Sequence, residues 1–138
     1  MNEYRISDLS VGLQASFEVE VTNLMFDQFL AMSGDNNPLH LDPTFAKERG
    51  FKDRVAYGLM TSSFYSKLAG VYLPGKNAVL HGIDITFRKP AFSSDRLQVE
   101  GTISFINEAY GQIEIKASIT NGNGELISKA KIKVGLSV

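Results

Sequence analysis

The sequence predicts an α+β fold in which an antiparallel sheet of about five strands curls around one long central helix. Three observations predict this class. The second half of the chain alternates apolar and polar residues between turns, each such strand has a single apolar face, and one long segment with little charge lies between the first strand and the others. A sheet with one apolar face needs one layer to cover it, and the long helix is the element available.

The composition is that of a globular protein of ordinary size. The chain has 138 residues, 43% hydrophobic and 21% charged, with a net charge of −1. This length corresponds to one domain, so we expect residues 1–138 to form a single domain. No basic stripe is present, which argues against binding to nucleic acid. The absence of cysteine excludes disulfides and thiolate chemistry and is compatible with a reducing compartment.

The N-terminus does not have the pattern of a targeting segment. It is polar and charged, no apolar stretch follows it, and no apolar run approaches the length of a membrane span. We therefore expect a cytoplasmic protein that does not bind membranes.

The first half of the chain predicts a strand followed by short helices. Apolar and polar residues alternate over 16–21, which indicates a half-buried strand. Thr22 offers an N-cap for an apolar-rich helix over 24–32, and Gly34 should end that helix. One or two further helical turns are expected over 43–49.

The long central helix is predicted from about residue 55 or 57 to residue 71, and Pro74 follows it. Its apolar residues are mixed with several hydroxyl residues, and Lys67 is its only charge. Such a helix should be buried on most sides, with its hydroxyls bonded back to the backbone.

Four further strands follow, each with one apolar face. Their apolar sets are Val79, His81, Ile83, Ile85, Phe87; Leu97, Val99, Ile103, Phe105; Ile113, Ile115, Ala117, Ile119; and Ala130, Ile132, Val134. This alternation predicts that His81 faces the inner side of the sheet, as a hydrogen-bonded core histidine or, alternatively, as a residue lining a pocket. Turns are predicted at 108–111 and 121–124.

The segment from Asp35 to His40 carries the chemistry. A carboxylate and an imidazole this close in the chain can move protons to and from a water near neutral pH, so we expect an enzyme rather than a passive binder. The segment is too rich in Asn and Pro for a helix interior and should lie on the loop after Gly34. Taken singly, Asp35 would be read as an Asx-turn residue and His40 as a hydrogen-bonded loop histidine.

Residues 33–46 resemble the signature of the MaoC-like family, the (R)-specific enoyl-CoA hydratases. That signature is a helix end, then Asp-x-Asn-Pro-Leu-His, then a small residue about six positions on, a slot that Ala46 fills. Blocks 55–60 and 85–90 also look like the family. The resemblance covers roughly residues 5–134 and implies the hotdog fold, in agreement with the sheet curled around a helix.

The chain departs from the family at two positions. Many relatives have His-Gly where this chain has Tyr57 and Gly58, and many have a small residue where it has Lys67. The glycine is retained, whereas a role of that histidine side chain would be lost.

The resemblance implies hydration of a trans-2-enoyl thioester, or dehydration of a 3-hydroxyacyl thioester in reverse. Asp35 and His40 carry over as the catalytic pair that activates a water. The first N–H groups of the central helix are suited to hold the thioester oxygen, because they lack intrahelical partners and lie at the positive end of the helix dipole. Gly58, which has no Cβ, would let the thioester approach them.

Four further residues are candidates for substrate contacts. Ser66 matches a family position whose hydroxyl lies near the catalytic pair, with back-bonding to the helix as the alternative. Asn37 could orient the loop or the water, or be purely structural. Arg88 and Lys89 could contact phosphates of coenzyme A, or simply be a solvated strand end.

The residues suggest no metal or separate cofactor, because the two histidines lie far apart and cysteine is absent. The substrate could be an acyl-CoA or an acyl-carrier-protein thioester. Hotdog domains, by the resemblance, pair edge to edge, so a homodimer or higher homo-oligomer is expected. A hotdog acyl-CoA thioesterase and a non-catalytic acyl-thioester-binding subunit remain alternative functions.

Overall fold

The computed structural model describes residues 1–137 and contains a five-stranded antiparallel sheet of order β1-β3-β4-β5-β2. The strands are β1 (Gln14–Glu20), β2 (Ala78–Phe87), β3 (Arg96–Asn107), β4 (Gln112–Thr120) and β5 (Leu126–Leu136). The helices are α1 (Asn23–Ser33), α2 (Pro38–Leu41), α3 (Pro43–Glu48) and α4 (Gly58–Lys67), and a π-helical turn, Leu68–Tyr72, extends α4. The predicted α+β class is confirmed, with β1 and β2 at the edges of an open sheet.

The caps of α1 decide where the segment from Asp35 to His40 begins. The Thr22 hydroxyl accepts a hydrogen bond from the Met25 N–H at 3.2 Å, as expected of an N-cap. Gly34 ends the helix in the left-handed conformation, with φ of 71°, and its N–H donates to the Leu30 carbonyl at 2.8 Å. Both predicted boundaries are confirmed, and Asp35 is the first residue beyond this sharp turn.

Three of the four Ser and Thr hydroxyls of α4 bond to the helix backbone, as predicted; the exception is Ser66. Thr61 and Ser62 both donate to the Gly58 carbonyl, at 3.0 and 2.7 Å, and Ser63 donates to the Met60 carbonyl at 2.6 Å. These bonds satisfy the hydroxyls locally, so the polar side chains can lie next to an apolar sheet.

The burial predicted for α4 is only partly correct, because one stripe of the helix is exposed. The sheet covers the face that carries Met60 and Tyr65, which are almost fully buried. The exposed stripe consists of Leu59, Ser63, Ser66 and Lys67. The low charge of α4 therefore does not mean that it is covered on most sides within one chain.

Two contacts set α4 close to the sheet. A Cβ on Gly101 would come within 2.7 Å of Leu68 and 2.8 Å of Ile115, so only glycine allows this approach. The hydroxyls of Tyr65 and Ser128 lie 2.8 Å apart in the core, and this bond ties α4 to β5.

The prediction that His81 faces the core is wrong. The register of β2 against β5 shifts between Leu80 and Gly82, so His81 is the extra residue of a β-bulge and leaves the alternation. Its ring is exposed and lies against Gly135, where there is no Cβ to obstruct it. The Gln112 side-chain amide donates to its Nδ1 at 2.8 Å.

A second bulge alters β3. The register shifts between Ile103 and Phe105, so Phe105 is exposed and Ile106 packs against the core in its place. The alternation predicted for β1, β4 and β5 is confirmed by their burial patterns.

Candidate active site

The Asp35 side chain takes part in an Asx turn at the end of α1. The Asn37 N–H donates to Asp35 Oδ1 at 3.1 Å, and the Asp35 N–H donates to the Ser33 hydroxyl at 3.1 Å. One carboxylate oxygen therefore orients the turn, and Oδ2 stays outside that bond. The side chain is exposed and accessible to water. The structural reading of Asp35 is correct, and it is compatible with a catalytic one.

His40 lies on a short helix and not on a plain loop, which corrects the sequence prediction. Asn37 is the N-cap of α2, because its Oδ1 accepts from the Leu39 N–H at 3.0 Å. Pro38 occupies the first turn, where its missing N–H costs nothing. Asn and Pro disfavour a helix interior but favour a helix start, and that distinction accounts for the error.

The hydrogen bond of His40 determines which ring nitrogen can accept a proton. Nδ1 lies 2.7 Å from the Val55 carbonyl oxygen. A carbonyl can only accept, so Nδ1 donates this bond, and Nε2 is the ring nitrogen left to exchange a proton with a water. The ring is thus held in the tautomer that can act as a base through Nε2.

Tyr57 contacts both members of the predicted catalytic pair, Asp35 and His40. Its hydroxyl donates to the Asp35 backbone carbonyl at 2.8 Å, and its ring stacks on the His40 ring with centroids 4.0 Å apart. The side chain is 2% exposed, and burial, with the nearby Asp35 charge, raises the pKa of the Tyr57 phenol. Sequence reasoning treated this position only as a lost histidine, although its place directly before Gly58 was a usable signal.

Arg54 is a second residue that sequence reasoning missed. Its guanidinium donates to the His40 carbonyl at 3.4 Å and to Asn23 Oδ1 at 3.1 Å, and it lies 4.7 Å from the centre of the Phe26 ring. These contacts connect α2 to the start of α1. No pattern in the sequence identifies Arg54, because its partners come from distant segments.

Asp35, His40 and Gly58 line one cleft of about 190 Å³ at the start of α4. The other walls are Phe29, Tyr57, Leu59 and Phe87. The predicted catalytic pair and the predicted helix N-terminus therefore meet in space.

The first turn of α4 can donate hydrogen bonds into this cleft. The N–H groups of Met60 and Thr61 are taken, since both donate to the Tyr57 carbonyl at 3.1 Å. The N–H groups of Gly58 and Leu59 come earlier in the helix, at positions that have no intrahelical acceptor, so they can donate to a ligand. A Cβ on Gly58 would come within 2.9 Å of the Phe87 ring, so the glycine keeps the approach open.

Arg88 and Lys89 line an adjoining cleft of about 300 Å³, which also includes His40 and Gly58. Both are exposed, and Lys89 Nζ lies 3.5 Å from Glu125 Oε2. The two cations thus lie at a cleft that also contains His40.

Ser66 is not brought to these clefts. It is exposed on α4, about two turns beyond Gly58, and lines neither of them. Asn37 holds the start of α2 through its side-chain oxygen and does not line them either.

Across residues 1–137, no group of three or more His, Cys, Asp or Glu side chains is arranged to hold a metal ion. Over the same residues, no helix has the length and apolar character that crossing a membrane requires.

Comparison with known proteins points to one family. The model of the MaoC-like domain family matches residues 10–122. An "(R)-specific enoyl-CoA hydratase" of Aeromonas caviae is 34% identical over 100 residues, covering 72% of this chain and 75% of the relative. A "3-hydroxybutyryl-CoA dehydratase" of Methylorubrum extorquens is 36% identical over 93 residues, covering 67% of this chain and 59% of the relative.

Solved structures agree in fold. The (R)-hydratase from Aeromonas caviae superposes with a TM-score of 0.88 at 30% identity, over 93% of this chain and 97% of that chain. The unliganded R-hydratase PhaJ1 from Pseudomonas aeruginosa superposes with a TM-score of 0.89 at 25% identity, over 96% of this chain and 84% of that chain. The predicted hotdog fold is confirmed.

Proposed function

This chain belongs to the MaoC-like domain family and is a hydro-lyase, and we propose that it hydrates trans-2-enoyl-CoA to (R)-3-hydroxyacyl-CoA or catalyses the reverse dehydration. The observation that carries the proposal is the single cleft in which Asp35, His40 and the N-terminus of α4 meet. The names of the two sequence relatives, a hydratase and a dehydratase, support the same reaction in its two directions.

In the proposed reaction, one water is bound between the Asp35 carboxylate and His40 Nε2. As the water oxygen bonds to C3 of the enoyl group, the pair takes a proton from it. The pair then returns a proton to C2, so that the elements of one water are added across the double bond. Both bonds form on the face where the pair lies, which gives syn addition.

Negative charge builds up on the thioester oxygen while C3 is attacked. The N–H groups at the start of α4 stabilise that charge, helped by the positive end of the helix dipole. Removal of one such donor typically costs about 3–4 kcal/mol of barrier. Gly58 leaves room for the oxygen to reach them.

The remaining predicted residues have supporting roles in this proposal. Asn37 keeps His40 in place by capping α2. Arg88 and Lys89 attract phosphates of coenzyme A at the mouth of the cleft. Ser66 remains a proposed substrate contact, reached from the exposed side of α4.

We also propose that the chain forms a homodimer through β2. This strand is at an edge of the sheet, and its apolar side chains Leu80, Ile83 and Phe87 are 52%, 38% and 49% exposed. An apolar edge strand is normally paired or covered, because its unpaired N–H and C=O groups can bind another strand. Since Phe87 also lines the catalytic cleft, pairing there would complete the walls of the site.

The test uses purified protein and crotonyl-CoA, with loss of the conjugated thioester absorbance as the assay. Wild type should hydrate the substrate, and Asp35→Asn, which keeps the size of the side chain but cannot act as a base, should be at least about 100-fold slower. A thiol reagent in a parallel assay reports thioester cleavage. Release of free coenzyme A without hydration would identify a thioesterase, and an Asp35→Asn enzyme as fast as wild type would disprove the proposed mechanism.

A further inference from the structure

A polar recess of about 600 Å³ adjoins the cleft that contains His40. The two share a wall made of Phe51, Lys89 and Pro90. Four parts of the chain meet in this recess: the residues after α3, the residues after β2, the start of β3 and the β4–β5 hairpin. The recess is therefore an extension of the catalytic cleft and is accessible from it.

Three cations line the recess. They are Lys52, Lys89 and Arg96. Lys52 Nζ lies 4.5 Å from the centre of the Phe92 ring, and this cation–π contact holds the ammonium group at the wall. Across residues 1–137, Lys52 and Arg96 belong to no ion pair. Their charges are thus available to a ligand.

The two acids in the recess are already bonded to the protein. Asp95 Oδ2 accepts from the Phe92 N–H at 2.9 Å, which fixes the loop before β3. Glu125 accepts from the Asn121 side-chain amide at 3.2 Å and pairs with Lys89. These two contacts lower the pKa of the Glu125 carboxyl, the hydrogen bond from Asn121 having the larger effect. Lys52 and Arg96 are therefore the cations best placed to meet an anion.

The walls on the two sides of His40 differ in polarity. On the side of Asp35, the cleft is bounded by the apolar side chains of Phe29, Leu59 and Phe87. On the side of Phe51, it opens toward the cations. A substrate with an apolar chain at one end of its thioester and phosphates at the other would therefore bind in one orientation, with the phosphates toward the cations.

We propose that this recess binds the phosphorylated nucleotide end of coenzyme A, with Lys52 and Arg96 as phosphate ligands in addition to Arg88 and Lys89. The inference rests on the proposed function, because it places the thioester carbonyl at the start of α4. The pantetheine arm then passes the shared wall at Phe51 and Pro90. Ammonium and guanidinium groups are the usual protein ligands of phosphate, and 600 Å³ lies within the range of small-molecule sites.

The recess favours free coenzyme A over an acyl carrier protein as the substrate carrier. A carrier protein delivers its acyl group on a phosphopantetheine arm and has no nucleotide to fill a concave recess. The proposal therefore commits to acyl-CoA thioesters.

The test compares three thioesters of the same acyl group: crotonyl-CoA, its 3′-dephospho form, and the crotonyl thioester of N-acetylcysteamine, which carries no phosphate. The variants are Lys52→Gln and Arg96→Gln, singly and together. The matched control is Lys129→Gln, which removes an exposed positive charge from β5 outside the recess. Steady-state kinetics give kcat and KM for each substrate at low and high salt.

The double variant should raise KM for crotonyl-CoA about tenfold, which corresponds to about 1.4 kcal/mol, with a much smaller change in kcat. In the same variant, the ratio of kcat/KM for crotonyl-CoA to kcat/KM for the N-acetylcysteamine thioester, called here the short thioester, should also fall about tenfold. High salt should reduce this ratio in wild type, because screening weakens phosphate contacts. The Lys129→Gln control should keep the wild-type ratio.

The outcomes separate this inference from the proposed function. If wild type hydrates neither crotonyl-CoA nor the short thioester, the proposed function and this inference are both wrong. If wild type hydrates both substrates but the double variant keeps the wild-type ratio of the two kcat/KM values, only the recess assignment is wrong. The same holds if the double variant loses kcat/KM equally on both substrates, because the ratio is then unchanged. A higher kcat/KM for crotonyl-acyl carrier protein than for crotonyl-CoA would also overturn it.

Discussion

Gly58→Ala should separate the catalytic role proposed for this glycine from a structural one. The added Cβ would lie 2.9 and 3.1 Å from two ring carbons of Phe87. Within a single chain that ring is 49% exposed, so it can move aside at modest cost. Alanine is also favoured over glycine in a helix by about 1 kcal/mol. The free energy of unfolding should therefore change by no more than about 1 kcal/mol in either direction.

The effect of Gly58→Ala on activity should be much larger. The methyl group would occupy the place where, in the proposed reaction, the thioester oxygen approaches the first N–H groups of α4. Loss of one such contact corresponds to about 3–4 kcal/mol of barrier, or a fall of about 100- to 1000-fold in kcat/KM. The assay is hydration of crotonyl-CoA, with thermal unfolding measured on the same preparations.

Gly101→Ala is the matched control for this experiment. Its Cβ would lie 2.7 Å from Leu68 and 2.8 Å from Ile115, both fully buried and unable to move freely. Overpacking of this kind costs about 1–3 kcal/mol, and the folded fraction should keep near-normal kcat/KM. If Gly58→Ala kept more than a tenth of wild-type kcat/KM, or lost as much stability as Gly101→Ala, the oxyanion role assigned to the start of α4 would be wrong.

Three further sets of variants concern Tyr57 in the site, the buried Tyr65–Ser128 pair and the edge strand β2. Tyr57→Phe removes the hydrogen bond to the Asp35 carbonyl but keeps the aromatic stack, so kcat should fall about tenfold while KM stays nearly unchanged. Tyr57→Leu also removes the stack and should lower kcat further. If both variants were as active as wild type, Tyr57 would have no positioning role. Tyr65→Phe leaves the buried Ser128 hydroxyl without its partner and should destabilise the fold by about 1–3 kcal/mol in denaturant unfolding. Burial raises the Tyr65 pKa from 10.0 to about 12, so the unfolded chain loses this proton at a lower pH than the folded protein. The free energy of unfolding of wild type should therefore fall as the pH rises from 10 to about 12. This decline should be smaller in Tyr65→Phe, which has no phenol to ionise. If the proposed dimer forms through β2, Ile83→Lys should make the protein monomeric in sedimentation experiments, because it places a charge on the apolar edge strand. A dimer that survives the substitution would place the interface elsewhere.

Local features of the chain predicted most of the fold. The start and end of α1 followed from Thr22 and Gly34, because caps depend on the chemistry of a few adjacent residues. The alternation in β4 and β5 predicted their inner faces correctly, since the period of a strand is a property of its own backbone. The resemblance of residues 33–46 identified Asp35 and His40, and the structure places both in one cleft.

The sequence predictions were wrong where the pairing with a second strand decides which way a side chain points. They were also wrong where a residue's position within a helix decides whether it favours that helix. His81 and Phe105 lie at bulges, and a bulge is defined by the register of the partner strand, which alternation within one strand cannot reveal. His40 was assigned to a loop because Asn and Pro were weighed as interior residues, whereas here they begin a helix.

The sequence by itself predicted the class of fold, the proposed catalytic pair and the glycine that begins α4, because these depend on short contiguous patterns. Only the tertiary structure decided that Tyr57 bonds to the backbone of Asp35 and stacks on His40, and that Arg54 connects two helices. It also decided that Lys52 and Arg96 share a recess next to the site. These contacts join residues that are far apart in the chain, and the packing that brings them together is a property of the whole folded core.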